Sequence, residues 1–597
     1  MTGPAIVVLG PGGYDVARRL EKSLKAAEIH GFQPRVPDAG IPFTDTGNHL
    51  KNLFRRGTPI IGVCAAGVLI RCLAGVLDEK TDEPPVIAVA EDGRFVVPLL
   101  GGHHGANDLA RQAAAVLGAT VAITTAGDVR FGMALDAPPA GWHLANRGDA
   151  KGFTARLLAG EAVRLEGHGP WLEAAALPVS QDAALTIRVT PEAAAGNGET
   201  LIYHPACLAM GVGCERGTDP DELTTLVRET LAQAALSPKA VAAIYSLDLK
   251  ADEPAVHAAA KHLGVTARFF PAARLERESP RLANPSDVVF RAVGCHGVAE
   301  GAALAAAGPE GELVAPKFRS ARATCAIARA PAPIAVAETG TPQGSLAIIG
   351  IGPGTAQWRT PEADALLAAA DHIVGYGLYL DLLGPVAAGK RLHPSPIGEE
   401  EARARAALDL AAAGATVALV SSGDAGIYAM ASLVFQLVEQ GNRSDWRRIS
   451  LAVSPGISAL QAAAARAGAP LGHDFCAISL SDLMTPWAVI ERRIAAAAEA
   501  DFVIAFYNPR SGRRTEGMDA AREILLRHRA AETPVVLARN LGRRGERIIV
   551  TSLGALCCDD IDMLTLVLIG SSQTRAFAAA GDQTWVYTPR GYGAKTP

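Results

Sequence analysis

Cysteine is sparse in this chain of 597 residues. Its nine cysteines (Cys64, Cys72, Cys207, Cys214, Cys295, Cys325, Cys476, Cys557 and Cys558) are odd in number, scattered, and never spaced Cys-x-x-Cys. That argues against a disulfide framework and a structural zinc site, so no metal ligands are assigned and a reducing cytoplasm is expected. An excess of basic charge is also lacking: 56 Lys and Arg face 61 Asp and Glu, a formal net charge of −5. No global field then exists to hold nucleic acid or an anionic membrane, and any basic site must be local. Residues 1–20 lack the basic-then-apolar pattern of a signal peptide. The least polar long stretch, 415–438, carries Asp424 with Ser421, Ser422 and Gly423 inside it, which predicts a strand, a loop and a helix rather than a membrane span.

What is present is a chain able to bury several cores. Hydrophobic residues make up 49% of it, and at roughly 150 residues per domain the length predicts about four domains or three larger ones. In 1–135, short apolar runs (Ala5–Leu9, Pro59–Val63, Val86–Ala90, Phe95–Leu100, Val121–Thr124) alternate with helical stretches such as Asp15–Ala27 and Asn107–Leu117, the pattern of an α/β layer. Over 136–205 the pattern weakens into a small module. From 206 to 330 it returns: Met210–Cys214 reads as a strand, and Asp219-Pro220-Asp221-Glu222 supplies a helix cap and an N-terminal proline. Residues 331–344, rich in Pro, Gly and Thr, read as a linker. Over 345–590 the α/β alternation resumes, with Thr360-Pro361-Glu362 opening a helix by the same logic. Glu399–Arg403 and Glu401–Arg405 predict ion pairs on an exposed helix face.

The candidate sites lie where strands end in glycine-rich loops. Gly350-Ile351-Gly352-Pro353-Gly354-Thr355 departs from the dinucleotide fingerprint, because Thr355 occupies the third glycine's place and Pro353 removes a phosphate-binding N–H. The N-terminal Gly10-Pro11-Gly12-Gly13 fails the same test at Asp15. Asp424, in Ser421–Tyr428, could meet an ammonium or hydroxyls, or could simply cap the following helix. After the strand Phe502–Phe506, Arg510, Arg513, Arg514, Arg539, Arg543, Arg544 and Arg547 could clamp carboxylates or be solvated surface. In the first half, Gly101-Gly102-His103-His104-Gly105-Ala106-Asn107 offers imidazole in a turn that admits close backbone approach.

Beyond residue 344 these motifs together resemble the precorrin-3B C-17-methyltransferases of cobalamin biosynthesis. The resemblance is carried by Gly350–Gly354, Thr360–Ala363, Gly375-Tyr376, Ser421–Tyr428, Ser454–Ala459, Gly468–Phe475, Ser479–Asp482 and Tyr507–Ser511. It implies a two-domain tetrapyrrole methylase fold, a homodimer formed through that domain, a precorrin substrate, and S-adenosylmethionine as cofactor. By it, Pro353, Gly423, Asp424, Ile427, Ser458, Ala459, Tyr507, Asn508, Ala538, Arg539 and Asn540 would line the cofactor site. Ser421, Ser422 and His473 are candidates to assist the ring contraction that accompanies methylation in the family. Related methylases carry an acid after Gly-Pro-Gly, where Thr355 stands here.

Residues 1–330 resemble the cobalt-precorrin-5A hydrolases, and their last third is also similar to the CobE protein. The match runs through Gly67–Arg71, Asp78–Lys80, Leu99–His103 with Gly105–Asn107, Thr124–Asp128, Gly211–Gly217, Ser246–Glu253, Val298–Gly301 and Pro316-Lys317. The resemblance implies opening of a ring lactone with release of acetaldehyde. Asn107 with His103 or His104 could orient water, and Lys80 or Lys317 could hold carboxylates. The expectation is a multidomain α/β protein, hydrolase-like modules followed by a methylase, acting on tetrapyrroles in the cytoplasm without nucleic acid or membrane. Two alternatives stay open: a non-catalytic corrinoid-binding first half, and a dinucleotide oxidoreductase.

Overall fold

In a computed structural model the chain is described over residues 3–24, 27–36, 39–77, 83–511, 515–578, 581 and 583–590, with the side chain of His103 outside that description. It divides into two compact units, Met1–Gln343 and Gly344–Pro597.

Among the described residues, unit 1 holds three sheets in sequence order. The first has seven strands in the order Ile41–Phe43, Glu28–Phe32, Ala5–Val8, Ile60–Val63, Val86–Val89, Phe95–Leu100, Thr120–Val121. The first five run parallel and the last two run the other way. Ala5–Val8 and Ile60–Val63 are buried on both faces, Ile6 and Val8 in one core and Ala5 and Val7 in another, which is why they read as unbroken apolar runs. Because strand direction reverses after Val86–Val89, Gly10–Gly13 opens at one edge of the sheet. The Gly101–Asn107 and Thr124–Asp128 turns open at the opposite edge.

The second sheet has four strands, Trp142–Leu144, Thr200–Pro205, Leu185–Val189 and Val163–Glu166. The sequence showed little of it because its strands are short and their partners distant. The third is ordered Ala267–Phe270, Val241–Leu247, Leu208–Cys214, Ala323–Arg329, Glu312–Arg319, with the first three parallel. Helix Val298–Ala307 packs on this sheet so closely that a Cβ on Gly211 would stand 1.9 Å from Ala299 O. Asp219 caps the helix Pro220–Gln233 as its sequence predicts.

Residues 331–344 are not free of the unit that precedes them. Thr341 and Phe269 exchange main-chain hydrogen bonds at 2.8 Å. Arg268 donates to Thr339 O and Gly340 O, each at 2.6 Å. A segment with little side chain to bury is held instead through its carbonyls, on the edge of Ala267–Phe270.

Unit 2 begins with an all-parallel sheet ordered Arg391–Ser395, His372–Tyr376, Thr416–Ser421, Ser345–Gly350, Ser450–Ser454. A second sheet follows, ordered Phe475–Ser479, Val503–Tyr507, Thr565–Ile569, Pro534–Arg539, Arg547–Ser552, with a three-stranded sheet beside it. Thr360 caps the helix Pro361–Ala369 through Ala363 N. Arg405 pairs with Glu401, but Arg403 departs from its expected exposed pairing with Glu399. It is buried and donates to Ser395 Oγ at 2.5 Å and Pro396 O at 2.7 Å.

No single helix among the described residues is long and apolar enough to cross a membrane. One bent pair, Asp287–Val293 with Val298–Ala307, passes that test by length and composition, and every residue of its second helix but Val298 is buried. The stretch 415–438 is the strand Thr416–Ser421, a loop, and the start of the helix Met430–Gln440. Among the described residues no three or more His, Cys, Asp or Glu gather as a metal cage.

Candidate functional site

In unit 2 three loops leave the carboxyl ends of parallel strands and meet main chain to main chain. A Cβ on Gly350 would lie 2.6 Å from Gly423 O and 2.8 Å from Gly456 N, and one on Gly456 would lie 2.1 Å from Gly423 O. Gly352 and Gly423 exchange hydrogen bonds at 3.1 and 2.8 Å. Only glycine allows this approach, and Gly352 and Gly423 also hold positive φ, +74° and +71°.

Asp424 ties two of the loops. Its Oδ1 accepts from Gly426 N at 2.8 Å and its Oδ2 from Gly456 N at 3.0 Å. It does not cap a helix: the next one starts at Met430, with Ala429 at its cap. Ser458 does cap, in a reciprocal box with Gln461 at the head of the helix Ala459–Ala467. Tyr507 Oη accepts from Leu460 N at 3.1 Å, and burial pushes the Tyr507 phenol up from its ordinary pKa. Ala459, Ala538 and Tyr507 share one apolar cluster with Leu460 and Leu541. Tyr428, whose ring lies 5.2 Å from that of Tyr507, donates to Ala477 O at 2.9 Å. Three residues here hold left-handed backbone without being glycine: Tyr428, Asn508 and Asn540, φ +51°, +51° and +52°. Such conformers cost about 1 kcal/mol or more each and persist where the surroundings impose them. Asn508 is held by its amide donating to Ser479 Oγ at 3.1 Å.

Arg543 closes this arrangement. Its Nε donates to Pro353 O at 2.9 Å and its Nη2 to Ser422 Oγ at 2.8 Å. Gly354 lies so near Gly542 that a Cβ would stand 2.1 Å from Gly542 O. The arginine clamp is thereby reduced. Arg510 donates to Asp559 Oδ1 at 2.9 Å and Arg539 to Asp562 Oδ2 at 2.8 Å, Arg543 is engaged as described, and Arg513 and Arg514 lie outside the described residues. Arg544 and Arg547 are exposed and have no ion pair among the described residues. In the sequence the seven arginines are alike, and nothing there sets Arg543 apart.

The remaining candidates separate. Ser421 Oγ is buried without a hydrogen-bond partner, while Ser422 meets Arg543. His473 stands in an exposed turn, where its Nδ1 accepts from Asp474 N at 2.9 Å. Ile427 is partly exposed at the mouth of the loops.

In unit 1, Asn107 is buried and its amide nitrogen donates to Thr125 Oγ1 at 3.0 Å and Asp128 Oδ2 at 2.9 Å. Arg111 reaches the same carboxylate at 2.5 Å. Asn107 therefore joins the Gly101–Asn107 turn to the Thr124–Asp128 turn. His104 is exposed beside it; Lys80 and the His103 side chain fall outside the described residues. In the third module Glu300 accepts from Asn284 N at 2.9 Å, Asn284 Nδ2 at 2.8 Å and Lys317 N at 2.9 Å. Burial acts to raise its pKa, and these donors together hold it below the usual carboxylate range. Lys317 Nζ donates to Asn284 O at 3.2 Å. Glu253, also buried, accepts from Gly217 N at 3.0 Å.

Comparison with known proteins places these units. Residues 345–557 match the family model for tetrapyrrole (corrin/porphyrin) methylases. Residues 48–128 and 208–328 match the models for the N-terminal and C-terminal parts of cobalamin synthesis G. The precorrin-3B C(17)-methyltransferase of Sinorhizobium sp. is 46% identical over 255 residues, 42% of this chain and 97% of that protein. The chain belongs to the precorrin-3B C(17)-methyltransferase family, with cobalamin synthesis G regions preceding the methylase. The cobalt-factor III methyltransferase of Priestia megaterium is 43% identical over 42% of this chain and 46% of its own length, so the chain spans about half the length of that relative. The crystal structure of the methyltransferase CobJ is 42% identical and covers 41% of this chain and 100% of its own, with a TM-score of 0.39.

Proposed function

We propose that unit 2 transfers a methyl group from S-adenosylmethionine to C-17 of precorrin-3B or its cobalt form, with contraction of the ring. The observation that carries this reading is the meeting of the Gly350–Gly354, Ser421–Tyr428 and Ser454–Ala459 loops around Asp424. The residues fit a sulfonium donor. A positive group is served by oxygen acceptors with no cation turned toward it. Asp424 supplies a carboxylate with lone pairs left over, and the guanidinium of Arg543 is directed at Pro353 O and Ser422 Oγ.

When bound, the cofactor supplies an electrophilic methyl, and transfer to an electron-rich ring carbon asks the protein for alignment and a dry cleft more than for acid–base work. Asp424 and Ser458 would hold the cofactor's polar groups, with Gly423, Ala459, Ala538 and Asn540 at its faces. Ile427, Tyr428 and Tyr507 would exclude water. Arg543 keeps the Pro353 carbonyl and Ser422 in fixed relation. Asp424→Ala should weaken S-adenosylmethionine binding about tenfold in calorimetry; unchanged affinity would remove Asp424 from the site.

For unit 1 we propose a hydrolase-like half that opens a corrinoid lactone. Acetaldehyde release by the intact chain from cobalt-precorrin-5A tests it. The engagement of Asn107 with Asp128 and Thr125 favours one competing reading, in which the Gly101–Asn107 edge binds a corrinoid without reacting with it; tight binding with no acetaldehyde is its outcome.

A further inference from the structure

A pair of residues in the third module of unit 1 lies outside every motif discussed above. Glu276 ends the helix Ala272–Glu276, which follows the strand Ala267–Phe270, and His296 precedes the helix Val298–Ala307. One carboxylate holds the histidine twice: Glu276 Oε2 accepts the His296 main-chain N–H at 2.9 Å, and Oε1 lies 2.9 Å from the ring Nδ1. An ionised carboxylate can only accept, so Nδ1 carries the proton, and in the neutral imidazole Nε2 is the nitrogen with the lone pair. Burial acts to raise the Glu276 pKa, and the two His296 donors hold it below the usual range, so the carboxylate is charged at neutral pH.

The ring is also fixed by packing. Phe290 stacks on it at 4.4 Å and 21°, and Ser286 N donates to His296 O at 2.8 Å. The His296 side chain is 26% exposed. Asp287 Oδ1 stands 3.6 Å from Nε2. The neighbouring Cys295 thiol is pushed up by burial and faces Glu276 and Asp248. The pair lies past the carboxyl ends of the parallel strands Val241–Leu247 and Ala267–Phe270, where open α/β sheets take ligands. Two residues along from Ser286, Asn284 O receives the ammonium of Lys317 at 3.2 Å. A base and a cation thus border one loop, 284–287.

We propose that His296 is the general base of the hydrolase-like half, positioned by Glu276, and that its substrate is an anionic ester or lactone whose carboxylate meets Lys317. This rests on the hydrolase reading of unit 1. In the step, His296 Nε2 takes a proton from water as the water oxygen bonds to the carbonyl carbon. The ester C–O bond then breaks, and the imidazolium returns the proton to the leaving alkoxide. One water is added and nothing is oxidised. Glu276 stabilises the imidazolium and fixes the tautomer.

The test uses the intact chain with cobalt-precorrin-5A and follows the gain of one water by the tetrapyrrole together with acetaldehyde, with substrate binding and the unfolding midpoint of unit 1 as controls of folding. His296→Asn keeps a nitrogen to donate to Glu276 but removes the base, and should lower lactone opening about a hundredfold with both controls unchanged. Glu276→Gln should lower the rate about tenfold and move the acidic limb of the pH–rate profile to lower pH, because the ring loses its anionic partner; a purely structural role would lower the rate without moving the limb. His168→Ala, at a solvent-exposed histidine paired with Glu173 in the second module, should change nothing. A wild-type chain that opens the lactone and a His296→Asn chain within threefold of it would overturn the base assignment and leave the hydrolase reading intact. A wild-type chain that binds the substrate and neither adds water to it nor releases acetaldehyde would overturn both.

Discussion

In unit 2 the loops around Gly350, Gly423 and Gly456 touch backbone to backbone, whereas in unit 1 the loops at strand ends gather around buried carboxylates, Asp128, Glu253 and Glu300. Both devices fix main-chain N–H groups in place. They fail differently. A loop held by close backbone approach tolerates no added volume, and a loop held by an anion tolerates volume but not loss of charge or low pH.

The largest effect that would break this contrast is expected at Gly456. Gly456→Ala places a methyl 2.1 Å from Gly423 O, with no flexible side chain to yield. It should cost about 3 kcal/mol, read as a lowered unfolding midpoint, with loss of cofactor binding. Gly377→Ala in the same unit, with nothing within 4 Å, should stay within about 0.5 kcal/mol.

Next comes Glu300→Ala in unit 1, which strands the donors of Asn284 and Lys317 and should cost about 2 kcal/mol in denaturant unfolding; Glu300→Gln should cost less. Because the Glu300 pKa is depressed in the fold, its stabilisation is present above about pH 4.3, the unfolded value, and is lost as pH falls through the lower folded value. Acid melts of wild type and Glu300→Gln should therefore converge at low pH. Parallel curves would contradict the role given to the carboxylate.

Smaller still is Arg543→Lys, which keeps the charge but cannot bridge Pro353 O and Ser422 Oγ. A fall in kcat of about fivefold is expected, with KM for S-adenosylmethionine within twofold. His473→Ala should leave methyl transfer unchanged, since the ring sits in an exposed turn with Asp474; a tenfold loss would restore it as a candidate.

Much of the architecture could be read from the sequence where the signal is local. Strands buried on both faces, such as Ala5–Val8 and Ile60–Val63, are continuous apolar runs, and the caps at Asp219 and Thr360 announce their helices. The sheet of 142–205 was not legible, because short strands paired across tens of residues leave little periodicity. The Thr120–Val121 strand is shorter than its apolar run, since the chain turns toward Asn107 and Asp128. Where the three loops of unit 2 meet, the motif residues were visible as types. The direction of Arg543 and the tie made by Asp424 depend on contacts across 32 to 190 positions in sequence, which no spacing encodes. His296 had even less signal: a histidine between Cys295 and Gly297 reads as a turn until Glu276, 20 residues away, is seen beside it.

The central claim is methyl transfer to a tetrapyrrole by the unit whose loops meet at Asp424. The direct test incubates the intact chain with precorrin-3B and its cobalt form in parallel, with S-adenosylmethionine labelled in its methyl group, and follows product mass and label. One labelled methyl at C-17 of at least one ring product, with an equal amount of S-adenosylhomocysteine, is the predicted result. Binding of either tetrapyrrole with no label entering the ring would contradict the account.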